Sequence, residues 1–428
     1  MRWPENLLHF IWRYKLFDAT SLVTQQGEDL RILNFGQYNN NAGSDFEQAK
    51  IELGNSIWVG NIEIHVDAND WNLHNHQYDK RYNSTILHVI WTDNQDKLIK
   101  RQDGSEIPTL VLAKYVNESL LEKYSTLMKN EAFIPCQNHL QFVSPLVIKN
   151  WLDRVVIERL AFKCIQIEEW LLASQYDWEK VTLVAMARAF GMKVNSEAFE
   201  FLIQNIPTNL LYKYANEPLK INAILFGCAG FLEDSVVDEY LDMLRCEFDY
   251  LKRIHNLRIM PSNNWKFMRM RPYNFPTYRL AQFVALFCYH QKWFNWLQTC
   301  DPQELYSEFE KIKLHDYWTN HFRFGKVSSL HNVGGFTHEF VNHLLINAFI
   351  PVLFAYSQYV NNVDLQSKSL DILAILKSEN NNIIRNYKNV GLDASSACDS
   401  QALLHLHRFY CSQKKCLDCA IGYSILKR

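Results

Sequence analysis

The chain is 428 residues long, 48% hydrophobic and 21% charged, with a net charge of −2. That composition excludes a disordered or low-complexity protein and leaves room for two or three folded domains. The near-neutral balance also excludes a chain-wide field for polyanions, so any contact with nucleic acid must be local.

The first segment, "MRWPENLLHFIWRYKLF", lacks the apolar core and small-residue cleavage site of a signal peptide. Its Leu7, Leu8, Ile11 and Trp12 recur at helical spacing, and Pro4 suits a first turn. Four strand-like runs follow: "LRILNF" (Leu30–Phe35), "AKIELG" (Ala49–Gly54), "SIWVGNIEIHV" (Ser56–Val66) and "STILHVIW" (Ser84–Trp91). Between the last two, "NDWNLHNHQYDKRY" reads as a short helix or ordered loop with Asn69 or Asp70 as N-cap. This order predicts a mixed α/β domain over 1–130.

After "FIPCQNHLQFVSP" the pattern changes, and from Val147 amphipathic stretches follow one another with short breaks. They predict a helical domain over 131–330. A break falls around Asn332–Gly335, and a C-terminal helical segment, 331–428, carries the last cysteines. The expected class is therefore α+β, with an α/β domain in front and an all-α region behind. The run "LLINAFIPVLFAY" from Leu344 is too short to span a bilayer and contains Asn347 and Pro351, so a buried helix is expected and no membrane. Ten scattered cysteines without an export signal point to reduced thiols and a cytoplasmic location. Oligomeric state is not legible.

The richest chemistry lies in "NAGSDFEQAKIELGNSIWVGNIEIHV", Asn41–Val66. Glu63 and His65 are two apart on a strand and so share a face, with Ile62 and Ile64 on the other. Asp45 lies one short hairpin upstream. Two carboxylates and a basic group brought together in this way can hold a divalent cation and activate water for phosphodiester hydrolysis. "GSDF" followed by "EIH" resembles the paired motifs of the PD-(D/E)XK nuclease-like superfamily, and the flanking helix and helix–strand fit its order. The resemblance implies a restriction-endonuclease-like fold in which Asp45 and Glu63 bind Mg or Mn. It puts His65 in the place of the usual lysine, which positions or deprotonates the attacking water. That is a departure, because an imidazole can accept a proton or ligate metal but does not carry a fixed charge. Asp45, Glu63 and His65 are the catalytic residues the resemblance implies, for a metal-dependent nuclease or phosphodiesterase acting on nucleic acid. The alternative is a catalytically inactive nuclease-like fold that serves as a binding or scaffold protein.

Downstream, His74 and His76 form an H-x-H pair able to chelate Zn or Mn over an extended backbone, and they are expected to line the site. A metal hydrolase of small substrates built on this histidine loop is a third possibility. His88, flanked by Ile86 and Ile90 on its strand, is expected to be a hydrogen-bonded core histidine. From "GNIEIHV" and "DW" through "FIPC", "ILFGCAG" and "RMRPYNFPTYRLAQ" to the terminal "YC…KC…C", the whole chain resembles a bacterial family defined only as a domain of unknown function.

"YCSQKKCLDCAIG" spaces Cys411, Cys416 and Cys419 as C-x4-C-x2-C, a pattern of zinc sites and iron–sulfur clusters once a fourth ligand is added. Cys136, Cys398 and His407 are the alternatives for that ligand. Some iron–sulfur nucleases are similar in stapling their core this way, although their lone cysteine precedes the nuclease core and Cys136 follows it. Cys164, Cys228, Cys246 and Cys288 fall in apolar helical patterns and read as core. "NWKFMRMRPYNFPTYRLAQ" interleaves Lys266, Arg269, Arg271 and Arg279 with aromatics, which could grip phosphates and stack on bases. The favoured reading is that its aromatics fill a core while its arginines solvate or cap helices, since burial is the usual fate of aromatics.

Overall fold

The structure is a computed structural model that describes residues 3–92, 99–233, 236–329 and 335–428. The α+β class is as expected, with a mixed sheet in front and helices behind. Two compact units result: Met1–Trp151 with Leu406–Arg428, and Leu152–His405. The segments 1–130, 131–330 and 331–428 expected from the sequence are thus not three consecutive bodies. The chain leaves the first unit and returns to it, because the helix Ala420–Leu426 packs on Glu118–Lys129. The break expected around Asn332–Gly335 falls largely outside the described residues.

In the first unit, α1 (Glu5–Arg13) buries Leu7, Leu8, Phe10, Ile11 and Trp12, with Pro4 at its N-cap. The strands are β1 (Leu22–Val23), β2 (Asp29–Asn34), β3 (Gln37–Tyr38), β4 (Phe46–Leu53), β5 (Ser56–His65), β6 (Thr85–Ile90) and β7 (Thr109–Val111). They form one sheet in the order β1-β2-β4-β5-β6-β7, with β3 paired to β4. The hairpin of β4 and β5 is antiparallel; β6 and then β7 join it in parallel. Between β5 and β6 the connection carries α2 (Asp70–Leu73) and two short 3-10 turns.

A bulge in β4 sets the register that matters. Ala49 pairs with Gly60, yet Phe46 pairs with Ile62, one residue out of step, with Gln48 at φ 56°. Such a bulge re-aims the strand beyond it. Past the shift, Asp45 meets Glu63, where the unshifted register would have brought it to Ile64. On the other side of β5, the parallel register sets Glu63 beside His88 and His65 beside Ile90.

Close approach of β6 requires Gly60: a Cβ there would run into the Ser84 carbonyl oxygen and stand 2.5 Å from Ile86 Cγ2. Neither backbone can yield without moving the strand. Gly60→Ala is expected to cost about 1–3 kcal/mol, seen as a lower urea midpoint.

The second unit is a helical body cored by aromatics, among them Phe190, Phe226, Phe283, Trp293 and Trp318. Cys164 and Cys228 are buried there as expected, whereas Cys246 is exposed and Cys288 only half-buried. Among the described residues one helix, His338–Tyr359, is long and apolar enough to cross a membrane; 78% of its apolar stretch is buried inside the protein. Pro351 lacks an N–H, and the helix widens into a π turn over Leu345–Phe349 just before it. Lys163 Nζ caps that turn, 2.8 Å from the Ile346 carbonyl oxygen and 3.2 Å from Asn347 Oδ1.

His343, on the same helix, has Nε2 2.9 Å from the Ala189 carbonyl oxygen, and burial lowers its pKa from 6.5 to about 4. As pH falls below 6.5 the unfolded chain takes up a proton that the folded one refuses until about 4, so stability is lost across that window. Thermal midpoints of the whole chain should fall between pH 6.5 and 4. In His343→Gln, which does not titrate, the fall should be shallower.

Candidate metal centre

The connection from Asp67 to Tyr82 covers the Glu63–His65 face of β5. Its turn is tied by Asn69 N–H to Asp67 Oδ1 (2.8 Å) and Asp67 N–H to Asp70 Oδ2 (3.0 Å). Trp71 and Tyr82 anchor it in a core shared with Ala68, Ile90, Ile99, Ile107 and Val111. His74 ends α2, and Asn75 follows in the left-handed region at φ 62°, a conformation Asn tolerates better than most residues. The next 3-10 turn starts at His76. This reversal, and not the extended backbone expected of an H-x-H pair, lets both histidines face His65.

Four side chains converge. His65 Nε2 is 3.2 Å from His74 Nδ1 and 3.6 Å from Glu63 Oε1; His76 Nε2 is 3.4 Å from the same Glu63 oxygen. One donor nitrogen of each of these three histidines lies within 4.8 Å of the other two. Tetrahedral zinc with Zn–N of about 2.0–2.1 Å separates its ligand atoms by roughly 3.3–3.4 Å. The observed separations bracket that value. His76 Nε2 is buried, and its polar neighbour is that Glu63 oxygen, in a contact too poorly aligned for a hydrogen bond.

A second layer orients the first. His65 Nδ1 is 2.8 Å from His88 Nε2, so with His65 Nε2 kept for a cation, Nδ1–H donates to His88. His76 stacks on the Tyr82 ring at 3.8 Å, and Trp71 meets His76 and His88 edge-on. Asp45 closes the far side. Its backbone N–H donates to Glu63 Oε2 (3.2 Å), and its Oδ2 accepts from Ile64 N–H (2.9 Å). The same Oδ2 is 3.3 Å from His9 Nε2 on α1.

Without a cation this cluster cannot carry its ordinary charges. Burial, and then the Asp45 carboxylate, push Glu63 up to about 9. Burial and the neighbouring imidazoles hold His65 far below the usual histidine range, and they lower His76 to about 4 and His88 to about 3. His9 moves the other way. Burial opposes its charged form, but the hydrogen bond and charge of Asp45, with Glu5, outweigh that and raise its pKa. Neutral imidazoles with a carboxyl that ionises when a cation arrives form a donor set for a borderline metal such as Zn or Co, and a poor one for Mg.

The structure thus brings Asp45, Glu63, His65, His74 and His76 together, and adds His88 and His9. His88 is the buried, hydrogen-bonded histidine expected, but its partner is His65. No pattern in the sequence marks His9, which arrives only because α1 packs on β5. Of the basic segment, Lys266, Arg269 and Arg271 are exposed. Arg279 is buried instead, donating to Asn274 Oδ1 and Gln282 Oε1 (2.7 Å each) with its guanidinium 3.5 Å from the Phe340 ring centre. It is a core residue, as are Trp265 and Tyr278. Cys136, His407, Cys411, Cys416 and Cys419 all lie in the first unit, Cys398 in the second.

Fold and cluster together define an α+β protein with a carboxylate–imidazole centre beside the parallel edge of a β-hairpin. The chain belongs to the family described as "Protein of unknown function (DUF2851)", whose model matches residues 5–382. This bears out the resemblance to a domain-of-unknown-function family over those residues; the terminal cysteine motif lies beyond the match. No curated protein and no solved structure matches the chain.

Since His88 holds the His65 ring, His88→Leu is expected to weaken metal binding by about 10–100-fold. Calorimetric titration with Zn²⁺ and Mn²⁺ would measure this, with an unchanged circular dichroism spectrum showing that the fold persists.

Proposed function

We propose that the protein is a transition-metal-dependent hydrolase that cleaves phosphodiester bonds in nucleic acid, its metal held by Glu63, His65, His74 and His76. The observation that carries this is the convergence of His65, His74 and His76, one ring nitrogen of each within 4.8 Å of the other two, with Glu63 Oε1 3.6 Å from His65 Nε2 and 3.4 Å from His76 Nε2. The choice of substrate rests on the resemblance to PD-(D/E)XK nucleases, now supported by an antiparallel hairpin continued by a parallel strand. His65 does not stand in for the lysine of that motif; it joins the ligands.

A bound cation supplies an activated water and charge for the phosphoryl oxygens. The chain's own part is positioning and proton handling. Glu63 is oriented by the Asp45 amide, His65 by His88, and His76 by the Tyr82 ring. Asp45 and His9 are an acid–base pair 3.3 Å apart at the edge of the cluster, able to take a proton and return it to a leaving oxygen. His74 is exposed, which leaves the centre open on that side.

The test is cleavage of labelled single- and double-stranded DNA and RNA with Mn²⁺, Zn²⁺, Co²⁺ and Mg²⁺ supplied separately. Cleavage is expected with Mn²⁺, Zn²⁺ or Co²⁺ and least with Mg²⁺. Glu63→Ala and His76→Ala should abolish both metal binding and cleavage. His9→Ala should keep the metal and lose roughly 10²-fold in rate. Stoichiometric metal without cleavage of any substrate would sink the hydrolase and leave a metal-stabilised binding protein.

A further inference from the structure

We propose that the second unit holds a binding site for a small apolar carboxylate, in a cavity of about 550 Å³ walled in part by Tyr240 and Trp318. The site lies wholly within that unit and does not depend on the carboxylate–imidazole centre of the first.

Its walls are three helices, Pro218–Cys228, Glu239–His255 and Pro276–Tyr289, and the connection 312–318. The first two helices meet at Gly227, where a Cβ would stand 2.2 Å from the Phe248 ring. Toward the N-terminal ends of both, Leu219 and Asn222 on one and Tyr240 and Met243 on the other line the cavity instead. A concave, largely apolar space of this size with a few fixed polar groups is the form that small-molecule sites take.

The polar groups are held in place by stacked rings. Trp318 is fully buried and lies on Phe226 at 5.5 Å. The Tyr240 ring is set against His315 at 4.4 Å and Tyr317 at 4.7 Å. Tyr240 Oη and Trp318 Nε1 are buried neighbours, but no hydrogen bond is formed between them and neither has another partner. Buried polar atoms are seldom left so. An indole N–H only donates, and burial keeps the Tyr240 hydroxyl protonated by raising its pKa. What the pair lacks is an acceptor, and one ligand oxygen can accept from both.

Charge narrows the ligand further. Among the described lining residues no side chain is a carboxylate, and Lys313, which is exposed, is the one lysine or arginine. Asp238, next to Tyr240 in the chain, is engaged elsewhere. It accepts from Tyr317 Oη (2.6 Å) and from the Leu241 and Gly325 amides (3.0 Å each). Two buried donors without an acceptor and a lysine at the surface match an oxygen anion on an apolar body. A cationic ligand would meet no opposite charge.

The probe is anilinonaphthalene sulfonate, an apolar anion whose fluorescence rises out of water, titrated into the full-length protein. Naphthoate should displace it, and the equally apolar cation naphthylmethylamine should not. Decanoate separates the two kinds of body: displacement by it as well marks any apolar chain, and displacement by naphthoate alone marks an aromatic one. Ala285, half-buried on the wall, is the place to fill the cavity, and Ala285→Trp should remove the displaceable probe. Tyr240→Phe should weaken naphthoate binding roughly three- to tenfold, and Lys313→Glu about fivefold, with circular dichroism unchanged. Should Ala285→Trp fail to fold, these two variants decide. The proposal is overturned if naphthoate binds wild type, Tyr240→Phe and Lys313→Glu equally, or if carboxylate and amine displace the probe alike.

Discussion

Burying Glu63 among three imidazoles is the constraint around which the first unit is organised. A carboxylate taken out of water must be protonated, paired or bound to a cation. Here the bulge at Gln48 sets Asp45 beside it, which makes ionisation harder still. The imidazoles cannot supply the missing charge, because burial keeps His65, His76 and His88 neutral. A divalent cation bound there would resolve both problems in one step. The cost of assembling so many polar groups in a sheet core is the physical reason to read the cluster as a site.

Much of the surrounding structure serves that cluster. Gly60 brings β6 close enough for His88 to reach His65, Asn75 turns His74 and His76 inward, and Trp71 and Tyr82 pin the covering segment to the core. Each is a local rule broken or specialised in the service of geometry: a bulge, a left-handed Asn, a strand buried on both faces. Such departures tend to gather at functional sites.

The elements with strong periodicity were legible in advance: α1, β2, β4, β5, β6 and the helices behind them. β1, β3 and β7, of two or three residues each, were not, because so short a run carries no period and forms only by pairing to a neighbour. Glu63 and His65 could be placed on one face from strand geometry alone. His74 and His76 could be suspected but not aimed, since their convergence depends on one residue at positive φ. Arg279 shows the opposite failure: a basic–aromatic pattern suggested nucleic acid, but tertiary packing put its guanidinium over Phe340 in a core.

By itself, then, the sequence determined the class of fold, the Asp45–Glu63–His65 motif and the spacing of the last three cysteines, all of which follow from short-range periodicity and chain-local chemistry. Only the tertiary structure decided that His9 and His88 belong with that motif, that His65 sits among imidazoles, and that Cys136 shares a unit with the C-terminus. Those facts depend on strand register, on helix packing and on a chain that returns to its first unit. Contacts between residues far apart in sequence are set by the burial of whole elements, and no local pattern records them.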